Sequence, residues 1–228
     1  ASPSLAWLRE RFPWPAQRPP IAPILWSMDF GGRRLITDLL SRRGIGLMLE
    51  IGSFLGGSAR QWLAASPNVV VVCVDPWLDM VAPTPLMDSH LSATQCRQAC
   101  GKDGLYDSFI ASMWDLRDRV VPVRARAEEI VPDLHATGLR PDLVYIDADK
   151  TAAELELCDR LFTEALISGD DWNWSDGHSF PIRAPVCDCA RARSGVLKCY
   201  GNTWLIDDHP WNARERILQC IAAPRTVS

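Results

Sequence analysis

Carboxylates recur at the ends of the apolar runs in this chain. Glu50 closes LMLE, Asp75 closes VVVVCVD, Asp147 and Asp149 close LVYIDAD, and Asp170 with Asp171 follows LISG. If those runs are strands of a parallel sheet, the acids converge on the carboxyl edge, where open α/β sheets bind their ligands. Acids gathered there repel one another unless a cation or a donor-rich ligand offsets their charge. They divide into two groups. Glu50 and Asp75 flank a glycine turn with Gly52, Gly56 and Gly57, where backbone N–H groups can approach a ligand closely and an acid can accept from ribose hydroxyls. That pairing suits an adenosine-containing ligand. Asp147, Asp170 and Asp171 are hard oxygen donors suited to Mg²⁺ or another divalent cation. Lys150, close behind Asp147, is a candidate base if a metal and desolvation lower its pKa.

The elements that position these groups follow from periodicity. Apolar runs alternate with amphipathic stretches, the pattern of βαβ units and a mostly parallel sheet. Strands are expected near 47–51, 69–75, 120–124, 142–147 and 165–169, with helices near 58–65, 105–118, 127–135 and 152–164. Thr151 and Glu154 match a capping box at the start of the last of these helices. Before the first strand, RRLITDLLSRR places Leu35, Ile36, Leu39 and Leu40 at helical spacing. Residues 1–33 begin with a segment rich in proline and tryptophan and read as an extended arm laid on the surface, ahead of a domain over 34–228. Residues 76–104 carry Pro76, Pro83, Pro85, Gly101 and Gly104, which break any period, so a lid or substrate-facing insertion is expected there. VLKCY and TWLID around Gly201-Asn202 read as a tight antiparallel hairpin.

Composition narrows the function classes. With 228 residues, 47% hydrophobic and 23% charged, the chain can bury a full core. A net charge of −4 and no lysine- or arginine-rich block leave no electrostatic footprint for nucleic acid. The longest apolar run, Val69 to Val74, is too short to span a bilayer, and a protein that is not exported is expected. The eight cysteines include Cys73 in a strand-like run, Cys158 on an apolar helix side, and Cys187 with Cys189 as C-x-C. None has the spacing of a zinc knuckle, so reduced thiols in a cytoplasmic protein are expected.

Taken together, ExGxxxGxS after a strand (Glu50, Gly52, Gly56, Ser58), the acid Asp75, then IDADK and GDDW resemble a class I S-adenosylmethionine-dependent methyltransferase over roughly residues 35–207. A Rossmann dehydrogenase would want G-x-G-x-x-G, but Glu50 stands where its first glycine belongs. DADK with a later acid pair resembles the metal-dependent O-methyltransferases of catechol and caffeoyl-CoA type. GDDW and the hairpin with Trp204 are similar to the macrocin-type enzymes that tailor natural products. The resemblance implies a Rossmann-like α/β fold with a seven-stranded, mostly parallel sheet, a C-terminal antiparallel hairpin and helices on both faces.

It also implies roles. Glu50, Gly52, Ser53, Gly56 and Ser58 would form the methionine end and glycine turn of the cofactor site, and Asp75 would bind ribose, with Trp77 beyond it. Ala127 and Glu128 would border adenine. Asp147, Asp170 and Asp171 would hold the metal, and Lys150 would take a proton from a small-molecule hydroxyl. The chain departs from the patterns at two places: catechol-type enzymes carry an acid followed by Asn where Asp170-Asp171 stands, and macrocin-type enzymes often have His at Lys150. Other readings stay open at this point. These are a metal-independent N- or O-methyltransferase using His178 or His209 as base, and a catalytically silent cofactor-binding scaffold. Trp172 and Trp174 are either core or substrate wall. A homodimer and a domain of a larger synthase are both compatible with the sequence.

Overall fold

The computed structural model describes residues 3–26, 31–148 and 152–207. Its centre is a seven-stranded sheet in the order β3-β2-β1-β4-β5-β7-β6. The strands are β1 (Leu47–Ile51), β2 (Val70–Asp75), β3 (Val120–Arg124), β4 (Leu143–Ile146), β5 (Leu166–Gly169), β6 (Val196–Tyr200) and β7 (Thr203–Asp207). The first five are parallel, while β7 runs antiparallel to both β5 and β6. The expected fold class is the one observed.

Two apolar layers enclose the sheet. One holds Met48, Val71, Tyr145 and Leu205 against α2 (Arg34–Arg42), α3 (Gly57–Ala65) and α6 (Gly104–Met113). The other holds Leu49, Ile51, Val72 and Val74 against α7 (Ala127–Ala136), α8 (Ala153–Leu161) and α9 (Arg183–Ala192). Strand alternation sorts successive residues into opposite layers, so the central runs are apolar on both sides and read as unbroken. Ile36, Leu39 and Leu40 of α2 are buried at helical spacing, as the periodicity implies. The expected 105–118 helix divides in two: after Met113 the chain tightens into a 3₁₀ turn, Trp114–Arg119, which buries no residue fully and only rests Trp114 and Leu116 against the core.

The N-terminal segment is not wholly extended. Pro3–Arg11 forms α1, with Pro3 at its start, where the missing N–H costs nothing. The prolines that follow keep the rest irregular. Leu8 packs in the α7 layer and Ile24 in the α6 layer, so the segment wraps around edge strand β3. The Trp14 indole donates to the Val120 carbonyl, and Arg9 and Arg18 donate to the Asp118 and Ala111 carbonyls. An edge strand that would otherwise present unpaired backbone is covered.

Residues 76–104 contain two short helices, α4 (Pro85–His90) and α5 (Ala93–Ala99). Thr84 and Ser92 cap them, and Met87, Cys96 and Ala99 anchor them in the core. Helix α8 begins after Ala152, and its expected capping partner Thr151 lies outside the described residues. No helix among the described residues is long and apolar enough to cross a membrane. Cys73, Cys96, Cys100, Cys158 and Cys187 are free thiols.

Candidate active site

A cavity of about 610 Å³ opens at the carboxyl ends of the parallel strands. The turn after β1 forms its floor. Gly52 has φ +86°, and a Cβ there would sit 2.6 Å from the Asp147 carbonyl carbon, so only glycine lets β1 and the end of β4 approach this closely. The Gly52 N–H donates to the Val74 carbonyl, and the Asp147 N–H to that of Ile51, both at 2.8 Å. Ser53, Gly57 and Ser58 continue the floor to the N-terminus of α3, whose N–H groups and dipole favour an anionic group.

Asp75 ends β2 at the cavity wall. Its Oδ2 accepts from the Phe54 N–H at 2.9 Å and its Oδ1 from the Trp77 N–H at 2.7 Å. Burial raises its pKa, while N–H donors from Phe54, Trp77 and Ser53 work against the rise. Ala127 and Glu128, at the start of α7 after β3, complete this side. Gly52, Ser53, Ser58, Asp75, Ala127, Glu128 and Asp147 therefore all line the cavity.

Three expected cofactor residues lie elsewhere. Glu50 is fully buried: strand parity turns it into the α3 layer, between Cys73 on β2 and Tyr145 on β4. There it accepts from the Ser53 hydroxyl at 2.6 Å and the Trp62 indole at 2.8 Å. Burial pushes its pKa up, against the pull of these donors and Ser58. Glu50 thus holds the turn from beneath. Gly56 caps α3 against Phe109 and Met113. Trp77 is buried, with its indole donating to the Phe54 carbonyl at 2.6 Å and its ring against Phe109.

The second acid group is arranged differently from a metal centre. Asp147, Asp170 and Asp171 all line the cavity, but so does Arg33, which the sequence reading did not single out. Arg33 Nη2 lies 3.3 Å from Asp147 Oδ2 and 3.9 Å from Asp170 Oδ2, with the arginine only 7% exposed. A divalent cation does not fit between these two oxygens while the guanidinium holds them. Among the described residues, no group of three or more His, Cys, Asp or Glu side chains is placed to bind a metal ion. Burial works against the charge on Arg33, but the Tyr145 hydroxyl, Asp147 and Asp170 more than offset it and hold its pKa above the usual range. Its position has a signal in the sequence: Arg33, the N-cap of α2, stands three and seven residues before the buried Ile36 and Leu40.

Trp26, Leu86 and Trp174 also line the cavity. Trp26 meets Phe54 and His90 edge to face, at 5.6 and 5.9 Å. Trp172 instead packs against the core under Arg183. Glu154 also reaches the cavity. His178 is exposed in a turn held by Asp176, away from the lining. Lys150 and His209 lie outside the described residues.

No protein-family model and no curated protein matches the chain. Solved structures do. The O-methyltransferase TomG from Streptomyces achromogenes, involved in tomaymycin synthesis and solved in complex with S-adenosylmethionine, is 16% identical, with a TM-score of 0.50 over 76% of this chain and 78% of that one. An O-methyltransferase from Bacillus cereus in complex with S-adenosylhomocysteine is 18% identical over 90% of each chain, TM-score 0.49. The S-adenosylhomocysteine-bound methyltransferase PaMTH1 from Podospora anserina is 16% identical over 90% of this chain and 85% of that one, TM-score 0.48. In fold, the chain resembles the class I S-adenosylmethionine-dependent methyltransferases.

Proposed function

We propose that the protein transfers a methyl group from S-adenosylmethionine to a hydroxyl of a small molecule. One observation carries the reading: the Gly52 turn, Asp75 and the Ala127-Glu128 start of α7 line one cavity across the ends of three neighbouring strands. That sequence of a close backbone approach, a carboxylate and an adenine-sized wall suits a ligand with an amino-acid end, a ribose and a base. The S-adenosylmethionine bound to TomG, a protein of the same fold, supports it.

Bound S-adenosylmethionine supplies the sulfonium methyl that the acceptor oxygen attacks in line. The chain's part is to hold and shape. The Gly52 turn and the α3 N-terminus receive the amino-acid end. Asp75 accepts the Phe54 N–H at Oδ2 and the Trp77 N–H at Oδ1, and its remaining lone pairs can receive ribose hydroxyls. Trp26, Leu86 and Trp174 give the acceptor side an apolar, aromatic wall, which favours a small natural product with planar or apolar character and helps exclude water. Residues 76–104 serve as the lid in this reading, with Pro76 and Leu86 lining the cavity. The proton lost by the acceptor passes to Lys150, close to Asp147 in the sequence. Positioning supplies much of the rate, and no covalent enzyme intermediate is needed. Metal assistance is left out, because Arg33 occupies the space between Asp147 and Asp170. A cytoplasmic setting, supported by the free thiols, completes the proposal.

Calorimetric titration with S-adenosylhomocysteine tests it. Wild type should bind, and Asp75→Ala should bind far more weakly. Absence of binding by wild type would overturn the reading.

A further inference from the structure

We infer that Arg33 is a built-in cation of this site, filling by ion pairing the place between Asp147 and Asp170 that a divalent metal would need. The inference rests on the methyltransferase reading for what the charge does, and on geometry alone for where it sits.

Arg33 is fixed by the far end of the chain. Gly32, immediately before it, has φ +123°, and a Cβ there would lie 2.7 Å from the Thr203 nitrogen, so the backbone presses on the hairpin between β6 and β7. The Asn202 N–H donates to the Gly31 carbonyl at 2.6 Å. The same hairpin holds the acids' loop, since the Trp172 N–H donates to the Asn202 carbonyl at 2.8 Å and the Trp204 indole to the Asp170 carbonyl at 2.8 Å. One turn therefore sets the guanidinium and Asp170 in register. The third side is Asp147, held by the Asp147 N–H to Ile51 carbonyl bond at the end of β4.

The chemistry follows from burial. Asp170 and Arg33 are both 7% exposed, and carboxylates at a buried site call for a fixed positive charge to offset theirs. Arg33 supplies it permanently, because a guanidinium does not deprotonate under any working condition. It lines the cavity beside Asp147, so the acceptor oxygen meets a pre-organised cation whose charge opposes that of the oxygen as it loses its proton. A guanidinium does this without exchangeable ligands. Methyl transfer should then be insensitive to chelators.

Mn²⁺ binding, followed by electron paramagnetic resonance and calorimetry, separates the two cations. Wild type saturated with S-adenosylhomocysteine should take up no stoichiometric Mn²⁺. Arg33→Ala should gain one Mn²⁺ site, and the added change Asp147→Asn should abolish it. One equivalent of Mn²⁺ in wild type, lost in Asp147→Asn, would overturn the inference. So would a folded Arg33→Ala protein that binds none. If Arg33→Ala does not fold, wild type and Arg33→Lys decide the matter, and both should stay free of Mn²⁺. Failure of wild type to bind S-adenosylhomocysteine would instead strike the methyltransferase reading, while the Mn²⁺ result on unliganded protein still decides the place of Arg33.

Discussion

The Trp62 indole donates to Glu50 Oε1 at 2.8 Å, and neither side chain reaches solvent. This bond ties α3 to the central strand beneath the candidate cofactor turn, with Ser53 donating to the other carboxylate oxygen. Removing the acceptor strands buried donors, each costing about 1–3 kcal/mol. Glu50→Ala should therefore be destabilised by several kcal/mol, lowering the thermal midpoint by roughly 2–4 °C for each of them. Glu50→Gln retains an acceptor and should lose less. Calorimetric scanning of both variants checks the order, and equal losses would count against Glu50 as the support of the turn.

Gly52 is the tightest point of the site. Gly52→Ala places a methyl against the Asp147 carbonyl at positive φ, where an L side chain is strained by about 1–3 kcal/mol before any collision. Both stability and S-adenosylhomocysteine affinity should fall. A variant of normal affinity would show that β1 and β4 can separate freely.

Asp75 gives the site a pH dependence. Its pKa lies above the ordinary 3.8 because it is buried, and ribose recognition needs the carboxylate. Affinity should hold above the raised value and fall about tenfold per pH unit below it, earlier than for an ordinary Asp. For stability the sign is opposite. A raised acid pKa means the folded chain keeps the proton longer, so this contribution is present below the unfolded value and is lost as pH rises through the folded one. Titration of binding from about pH 8 to about pH 4 checks the first claim, with Asp75→Asn expected to bind weakly and without that dependence.

Lys150 is the proposed base. Lys150→Met should lower kcat by about 10²–10⁴-fold while S-adenosylhomocysteine affinity stays near wild type. An unchanged kcat would remove it from the mechanism.

The N-terminal segment should act as an edge cover. Removal of residues 1–17 uncovers the β3 backbone, including the Val120 carbonyl that accepts from Trp14. Light scattering should then show association of the truncated protein, whereas Trp14→Phe, which keeps the bulk, should stay closer to wild type.

The sequence by itself determined the parallel strands nearly to the residue, because strands buried on both faces are written as unbroken apolar runs such as Val69 to Val74. It determined the glycine turn, the acid that ends β2 and the terminal hairpin for the same reason: each is a local pattern. The tertiary structure alone decided what those residues face. Glu50 looked like a cavity acid and is a buried support, since the parity of β1 turns it toward Trp62. Arg33 looked like one charge on an amphipathic helix and stands between Asp147 and Asp170, more than a hundred residues away along the chain. Such a contact is set by how the hairpin, α2 and the end of β4 pack together, and charge or periodicity read along the chain does not encode that distance.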